Sequence, residues 1–368
     1  MSTVEGLKKI KDINIGDVVY TENGTQKVVN KMYMGQKETI KIEHETGTLV
    51  CTPDHRILTE NGWKMAKDIL KDETIAHRVG CNNSQTYSKS LLVLLGNLLG
   101  DGMLASKNVV GFINKDLDVV NNFKENVEKS FPSLTCSILD RPSRVNKIPL
   151  YLANVKHVIP SKKDKEINNY LREVGLKGSI DKNKFVPDFI FKLDRECLLT
   201  FLGAYTDTDS TIKNRGYAIL RYTTASKDLA DGIHEIGRLL GYKFITDHYD
   251  NAYFVRCVNA KALLLELYDY SFKIRKTYKK EDLSLIRTSA HNSVSLKLIR
   301  NCVLGKVSTK KIQQQYGVNV SGKQKHVNVD GLRRLDKDYP GLIPGHILNE
   351  NIIWSKVKNV DNHGVANV

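Results

Sequence analysis

The protein has 368 residues, of which 41% are hydrophobic, and its 56 Lys and Arg against 41 Asp and Glu give a formal net charge of +15. This length and composition leave room for two or more globular domains and exclude a wholly disordered or low-complexity chain. The longest apolar run, residues 91–99, is far shorter than the roughly 20 residues that span a bilayer, and the N-terminus has no apolar signal segment, so we expect an intracellular protein that is not secreted and has no membrane span.

The N-terminal part of the chain, up to about position 80, predicts a small all-β unit. Short stretches of β-forming residues alternate with turn signals such as Glu22-Asn23-Gly24 and Glu60-Asn61-Gly62. The predicted strands cover residues 18–20, 26–33, 39–43 and 48–51. Strand-like alternation returns at residues 347–360, so the first and last segments are expected to form one β domain interrupted by everything between them.

Residues 86–288 predict helices alternating with strands. Apolar residues spaced three or four apart predict helices over residues 115–131 and 227–240, and each of these segments follows a strand-like stretch.

The positive charge is concentrated in one region. Residues 271–340 contain 16 Lys and Arg against 5 Asp and Glu, which is +11 of the total of +15. Such a surface is typical of a protein that binds a phosphate backbone, although a solvated face kept for solubility has the same composition.

The middle of the chain contains an internal repeat. Residues 95–102 align with residues 203–210, so that Gly96 matches Ala204, Gly100 matches Thr208 and Asp101 matches Asp209. Small residues at positions i and i+4 share one helix face and let two helices approach closely. Two such helices would bring both acids to one point at their C-termini.

Paired carboxylates at helix C-termini need a compensating cation, because the helix dipole is negative there. Carboxylate oxygens favour Mg²⁺, and metal ions shared by two carboxylates suit hydrolysis of a phosphodiester. We therefore predict a divalent-metal site at Asp101 and Asp209, with two or more Mg²⁺ ions and the neighbouring Gly100 and Thr208 as further ligands.

Residues 201–210, reading FLGAYTDTDS, resemble the LAGLIDADG motif of homing endonucleases, and residues 94–102 resemble the first motif of its single-chain members. The resemblance covers roughly residues 86–288 and implies an α+β fold of two pseudo-symmetric αββαββα halves with two saddle sheets. It implies a monomer that cuts both strands of a long asymmetric DNA site, with Asp101 and Asp209 as the catalytic acids. Ala204 and Ser210 depart from the glycines that are usual in the motif.

The resemblance also implies catalytic lysines near the scissile phosphates, and Lys184, with Lys276 as its pseudo-symmetric counterpart, fits that role. Residues 308–318 predict a short helix ending at a glycine, and with residues 319–330 as a reading helix they would form a helix-turn-helix. The basic residues that we assign to DNA contact are Lys273, Arg275, Lys279, Lys280, Lys310, Lys311, Lys323 and Lys325.

Residues 48–63 resemble a conserved block of inteins, the TxxH pair of the Hint fold, with Thr52 and His55 as the pair, and residues 6–19 resemble the preceding block. In that family the two side chains polarise a peptide bond ahead of an N-terminal nucleophile. The chain has neither an N-terminal Cys nor a closing His-Asn, so we expect that splicing does not run as written and that Thr52 and His55 are vestigial.

Together these patterns predict four parts: residues 1–85 and 341–368 as the two parts of a mostly β Hint domain, 86–288 as the inserted nuclease, and 289–340 as a basic DNA-binding segment. Two alternatives stay open. One is a protein-splicing intein with trimmed ends, and the other is a DNA- or RNA-binding protein, such as a repressor or an intron maturase, that keeps the fold without the chemistry.

Overall fold

The structure is a computed structural model that describes residues 2–3, 6–21, 24–80, 83–106, 109–141, 149–159, 165–214, 217–286, 293–320 and 326–368. The chain forms two compact units. Unit 1 consists of Met1–Val28, Cys81–Leu240 and Thr246–Thr288, and unit 2 of Val29–Gly80, Gly241–Ile245 and Ser289–Val368. Among the described residues, every helix is too short or too polar to span a bilayer.

The first strands in chain order are β1 Ser2–Thr3, β2 Gly6–Leu7, β3 Val18–Thr21, β4 Gly24–Lys27, β5 Gln36–His44, β6 Gly47–Cys51, β7 Arg56–Thr59, β8 Gly62–Met65, β9 Thr74–Arg78 and β10 Gly102–Met103. The later strands are β11 Gly111–Asn114, β12 Leu134–Asp140, β13 Tyr151–His157, β14 Ser210–Asn214, β15 Ala218–Thr224, β16 Phe244–Tyr249, β17 Ala252–Cys257, β18 Ser293–Ser295, β19 His326–Asn328 and β20 Ile352–Asn367.

The α-helices are α1 Lys89–Asp101, α2 Leu117–Ser130, α3 Lys165–Glu173, α4 Arg195–Asp209, α5 Lys227–Leu239, α6 Ala260–Leu267, α7 Phe272–Thr277, α8 Lys280–Leu285, α9 Leu296–Val303, α10 Thr309–Tyr316, α11 Val329–Asp338 and α12 Gly345–Leu348. Short 3₁₀ helices cover Ile10–Asp12, Ala66–Asp68, Asp188–Lys192 and Tyr268–Tyr270.

Unit 1 contains the same arrangement twice. The order α1-β10-β11-α2-β12-β13-α3 is followed by α4-β14-β15-α5-β16-β17-α6. The two sheets have matching strand orders, β10-β11-β13-β12 and β14-β15-β17-β16, and their registered strand pairs are antiparallel. The predicted α+β class and the αββαββα order of each half are confirmed.

The helices α2 and α5 occur where the apolar spacing predicts them. Each begins at a side-chain cap: Asp116 accepts from the main-chain N of Asp118, and Ser226 accepts from that of Leu229. Each then buries one apolar face, which includes Phe123 in α2 and Ile233, Ile236 and Leu229 in α5. Burial of that face, rather than intrinsic helix propensity, stabilises helices of this length.

Unit 2 contains a sheet in the order β6-β5-β20-β9-β7-β8. The long strand β20 pairs antiparallel with β5 along one edge and with β9 along the other. A strand from residues 352–367 therefore lies between strands from residues 36–44 and 74–78. The strand predicted over 26–33 is wrong beyond Lys27, where β4 ends, and the start of the strand predicted over 347–360 is wrong because α12 extends to Leu348.

Unit 2 also contains α9–α12 and the short antiparallel pair of β18 with β19. Their apolar side chains, which include Ile299, Ile312 and Leu332, form a buried cluster with Trp354 of β20. The helix predicted over 308–318 is observed as α10, ended by Gly317 at φ 68°. The predicted reading helix over 319–330 is wrong, because His326–Asn328 form β19, in which β-branched Val327 pairs with Val294 of β18, and α11 begins at Val329.

Candidate active site

The site lies where α1 and α4 end, and the contact between these helices depends on small residues. A Cβ atom added to Gly96 would lie 2.6 Å from the main-chain oxygen of Phe201 and 2.9 Å from Cβ of Ala204. One turn later, a Cβ atom on Gly100 would overlap Oγ1 of Thr208. The close approach predicted from the repeat is present at both positions.

Each of the two helices ends on its acid. Asp101 is the last residue of α1 and Asp209 the last of α4, and the next residues, Gly102 and Ser210, begin β10 and β14. Both acids line one cavity of about 440 Å³, together with Lys184 and other residues of unit 1. Two carboxylates that are distant in the sequence therefore face the same space.

The surroundings of the two acids raise both of their pKa values. Burial raises the pKa of Asp101, while Nδ2 of Asn114, which donates to Oδ2 of Asp101 at 2.8 Å, opposes the rise. Burial, followed by the charge of Asp101, raises the pKa of Asp209 to about 7. The two carboxylates repel each other in a poorly solvated place, so a cation between them relieves an unfavourable arrangement.

Two lysines hold the main chain on either side of the acids. Nζ of Lys184 donates to the carbonyl oxygens of Gly100 at 2.8 Å and Gly102 at 3.3 Å, the residues that flank Asp101. The ammonium of Lys184 is buried and also pairs with Asp181 at 3.1 Å. Asp181 is mostly exposed, so the buried charge of Lys184 is compensated mainly by these oxygens.

Lys273 makes the same contacts in the second half. Its Nζ donates to the carbonyl oxygens of Thr208 at 3.1 Å and Ser210 at 2.6 Å, which flank Asp209. Burial, together with the nearby charge of Lys115, lowers the pKa of Lys273. Lys184 follows the last helix of the first half and Lys273 the last helix of the second, so the two lysines are equivalent by position and by contact.

The structure does not bring Lys276 to this place. Its Nζ lies 2.6 Å from Asp116 and 2.7 Å from Asp118, and its side chain is about half exposed (49%). The position that mirrors Lys184 belongs to Lys273, which sequence analysis assigned to DNA contact alone. The physical reason is the short helix α7, in which Lys273 lies in the first turn beside α4 and Lys276 one turn further on.

Three other basic residues predicted to bind DNA also lie in unit 1. The guanidinium of Arg275 donates to the main-chain oxygens of Tyr268 and Asp269 and lies 4.6 Å from the centroid of the Phe272 ring. Lys280 pairs with the carboxylate of Asp269 at 3.0 Å. Lys279 is exposed and precedes α8. Arg275 is thus occupied by internal contacts.

The remaining predicted DNA contacts belong to unit 2. Lys310 and Lys311 are exposed on α10, and Lys311 donates to the hydroxyl of Tyr339 at 2.8 Å. Lys323 and Lys325 lie outside the described residues.

The predicted splicing pair lies in the connection between β6 and β7. The main-chain N of His55 donates to the oxygen of Thr52 at 3.0 Å, which closes a tight turn, and the His55 side chain is exposed. A side-chain hydrogen bond from Thr52 lowers the pKa of the exposed Asp54. This turn brings Thr52 and His55 close together.

The donor set at the acids fits Mg²⁺. The carboxylates of Asp101 and Asp209 line the cavity, the predicted further ligands Gly100 and Thr208 precede them in the sequence and offer main-chain oxygens, and hard oxygen ligands suit this ion. Each carbonyl keeps a second lone pair beside its bond to a lysine. No group of three or more His, Cys, Asp or Glu in the described part of the chain could hold a metal ion, and Mg²⁺ needs only one or two carboxylates when water and phosphate complete its shell.

Comparison with known proteins gives matches to curated sequences and to solved structures, although no protein-family model matches the chain. The replicative DNA helicase DnaB of Rhodothermus marinus is 28% identical over 196 residues, which cover 52% of this chain and 20% of that protein. The gp41-1 intein structure is 29% identical over 21% of this chain and 61% of that chain, with a TM-score of 0.19. The structure of I-DmoI in complex with DNA and Mn is 14% identical over 46% of this chain and 89% of that chain, with a TM-score of 0.31.

The chain is similar to inteins and to LAGLIDADG homing endonucleases. It spans about a fifth of the length of the DnaB helicase that it matches.

Proposed function

We propose that this protein is a site-specific endonuclease that makes a double-strand break in a long asymmetric DNA target by Mg²⁺-dependent phosphodiester hydrolysis. One observation carries the proposal: two acids from equivalent positions of two helices face one cavity, and an equivalent lysine holds the chain on both sides of each. A pair of equivalent half-sites suits a substrate with two strands to cut. Since one chain supplies both halves, it acts as a monomer and reads an asymmetric site.

The chain's own residues perform three tasks in this reaction. Asp101 and Asp209 hold the metal, with the carbonyls of Gly100 and Thr208 beside them. Mg²⁺ bound there supplies positive charge against the scissile phosphate and lowers the pKa of a water ligand. Lys184 and Lys273 keep the main chain around each acid in place and add positive charge where phosphoryl charge develops.

The exposed faces of the two sheets supply the DNA contacts in this proposal. Residues alternate along β15, so that Arg221 and Thr223 lie on the opposite face from the buried Leu220 and Tyr222. The guanidinium of Arg221 lies 5.0 Å from the centroid of the Phe254 ring on the neighbouring strand β17. A cation fixed over an aromatic ring on a sheet face suits contact with a phosphate backbone or a base edge.

We further propose that the sheet of unit 2 is a Hint-like domain interrupted by the nuclease, with Thr52 and His55 as remnants of a splicing site. The position of β20 between β5 and β9 supports this, because a strand from residues 352–367 lies there between strands from residues 36–44 and 74–78, on the other side of the nuclease in the sequence.

The test is selection of a cleaved sequence from a library of randomised DNA duplexes in the presence of Mg²⁺. We expect the wild-type protein to produce fragments from a defined subset of duplexes, and Asp101→Asn and Asp209→Asn to lower the rate by about 10²-fold or more. Asp12→Asn, which removes an exposed acid elsewhere in unit 1, is the matched control and should cut at the wild-type rate. The proposal is wrong if no duplex is cut, or if wild type and Asp101→Asn behave alike.

A further inference from the structure

The second motif contains another acid, Asp207, which the proposed chemistry does not use. Its side chain is buried, with 6% exposed, and lies on α4 two residues before Asp209. A buried carboxylate is unfavourable unless it is fully hydrogen-bonded, so its partners indicate what it does.

Among the described residues, the hydrogen-bond donors to the Asp207 carboxylate belong to the start of α7. Oδ1 of Asp207 accepts from Oγ of Ser271 at 2.6 Å and from the main-chain N of Lys273 at 2.9 Å. Ser271 is itself the cap of α7, because its Oγ accepts from the main-chain N of Ile274. A negative charge at the N-terminal end of a helix is favourable, so the carboxylate fixes this end of α7 against α4.

Lys273 makes hydrogen bonds both to Asp207 and to the residues on either side of Asp209. Asp207 binds the main-chain N of Lys273, while Nζ of the same lysine reaches back to the carbonyl oxygens on either side of Asp209. Asp207 on α4 thus fixes the main chain of Lys273. The ammonium of the same lysine then binds the main-chain oxygens of the residues on either side of Asp209.

The first half lacks this arrangement. In the alignment of residues 95–102 with 203–210, the position equivalent to Asp207 is Leu99, which is buried. The ammonium of Lys184 pairs instead with the exposed Asp181, and the main-chain oxygen of Lys184 accepts from Oγ of Ser226 at 2.6 Å. The two equivalent lysines are therefore held in different ways.

We propose that Asp207 is a positioning residue that holds the ammonium of Lys273 beside Asp209 and thereby governs cleavage of one of the two DNA strands. This inference rests on the proposed endonuclease function. Asp207 itself touches neither metal nor DNA, and it acts only through Lys273.

The test uses the duplex selected in the library experiment, cloned into a supercoiled plasmid, with the rate of cutting each strand measured in single-turnover reactions. We expect Asp207→Asn to slow one strand about 10-fold, since misplacing a catalytic group by a fraction of an ångström has effects of this order, and to leave the other strand within about twofold. Nicked circles then accumulate. Affinity for the same duplex without divalent metal should stay within about twofold, because no DNA contact is removed.

A double-mutant cycle separates positioning from a purely structural effect. Lys273→Met should slow the same strand, and adding Asp207→Asn to Lys273→Met should slow it no further, since Asp207 acts through the lysine. Ser271→Ala, which removes one partner of the carboxylate, should slow the same strand more weakly, and this variant carries the test if Asp207→Asn fails to fold.

Two results overturn the inference in different ways. Equal slowing of both strands, or rates in the double variant that are the product of the single effects, overturns the role of Asp207 while leaving the endonuclease standing. A wild-type protein that cuts no duplex overturns the proposed function, and this inference with it.

Discussion

At the scale of single residues, the two acids are equivalent by position and unequal in their surroundings. Gly102 pairs with Phe112, and Ser210 pairs with Tyr222, so the place of Asn114 in the first sheet corresponds to Thr224 in the second. Asn114 donates to Asp101. The pseudo-symmetry thus applies to the backbone and to the lysines but not to the hydrogen-bond donors beside the carboxylates.

His234 provides a test of burial at a single residue away from the site. It lies on α5, with Nδ1 3.1 Å from Oγ1 of Thr246. Burial, with the charge of Arg238, lowers the pKa of His234 to about 4, against the opposing effect of Asp231. In the unfolded chain the pKa of a His is about 6.5. Between about pH 6.5 and pH 4 the unfolded chain therefore binds more protons at this residue than the folded chain does. The free energy of unfolding falls as the pH is lowered through this range.

We therefore expect His234 to reduce the free energy of unfolding by about 1–2 kcal/mol between pH 7 and pH 5, with allowance for its partial exposure. Urea unfolding followed by circular dichroism measures this difference. In His234→Gln the loss between the two pH values should be smaller by that amount, because all other groups still titrate. An identical pH dependence in both proteins would contradict the lowered pKa.

At the scale of elements, the contact between α1 and α4 determines the geometry of the site. Asn97 supports it by donating from Nδ2 to the main-chain oxygen of Ala204 at 3.0 Å, across the two helices. Because each helix ends on its acid, the separation of the helices sets the separation of the carboxylates.

Gly96→Ala tests this contact. The new Cβ atom meets the backbone of Phe201, which is not a flexible side chain, so α1 and α4 must move apart. We expect a loss of about 1–3 kcal/mol in the free energy of unfolding, reduced by up to about 1 kcal/mol from the better helix propensity of Ala. Gly345→Ala in α12, where a Cβ atom meets nothing within 4 Å, is the control: it has the same propensity gain of up to about 1 kcal/mol and should not lower the free energy of unfolding. Equal effects of the two substitutions would refute the close approach.

Much of this arrangement could be predicted from the sequence, because it depends on local patterns. The 3.6-residue period predicted α2 and α5, and the repeat of small residues and acids predicted that α1 and α4 meet at Asp101 and Asp209. The equivalence of Lys273 and Lys184 could not be predicted in this way. The connection from Glu173, the end of α3, to Lys184 is longer than the one from Leu267, the end of α6, to Lys273, so no constant spacing relates the lysines.

At the scale of the whole molecule, the positive charge is regional and extends beyond unit 1. Some of the Lys and Arg residues of 271–340 belong to the last segment of unit 1, and the others belong to unit 2. If the basic residues of either unit bind phosphates, their contribution to affinity is independent of the DNA sequence and depends on salt.

Replacing both Lys310 and Lys311 by Gln should weaken binding of all duplexes by about the same factor and reduce the slope of log affinity against log salt by about 1–2. Fluorescence anisotropy at several salt concentrations measures this slope. The matched control replaces Lys124 and Lys129, which lie near Glu128 and Glu125 on α2, and removes the same charge. An equal change of slope in both variants would mean that only the net charge matters, and that α10 has no particular role.

The central position of β20 also has a consequence for the order in which the protein folds. During synthesis the ribosome completes both halves of unit 1 before it makes β20, so unit 1 can fold while β5 and β9 still expose the backbone groups that β20 later pairs. Contacts between residues so distant in the sequence form slowly, and open strand edges invite pairing with other chains. The sheet of unit 2 is therefore the last part to form and the part most exposed to aggregation before the chain is finished.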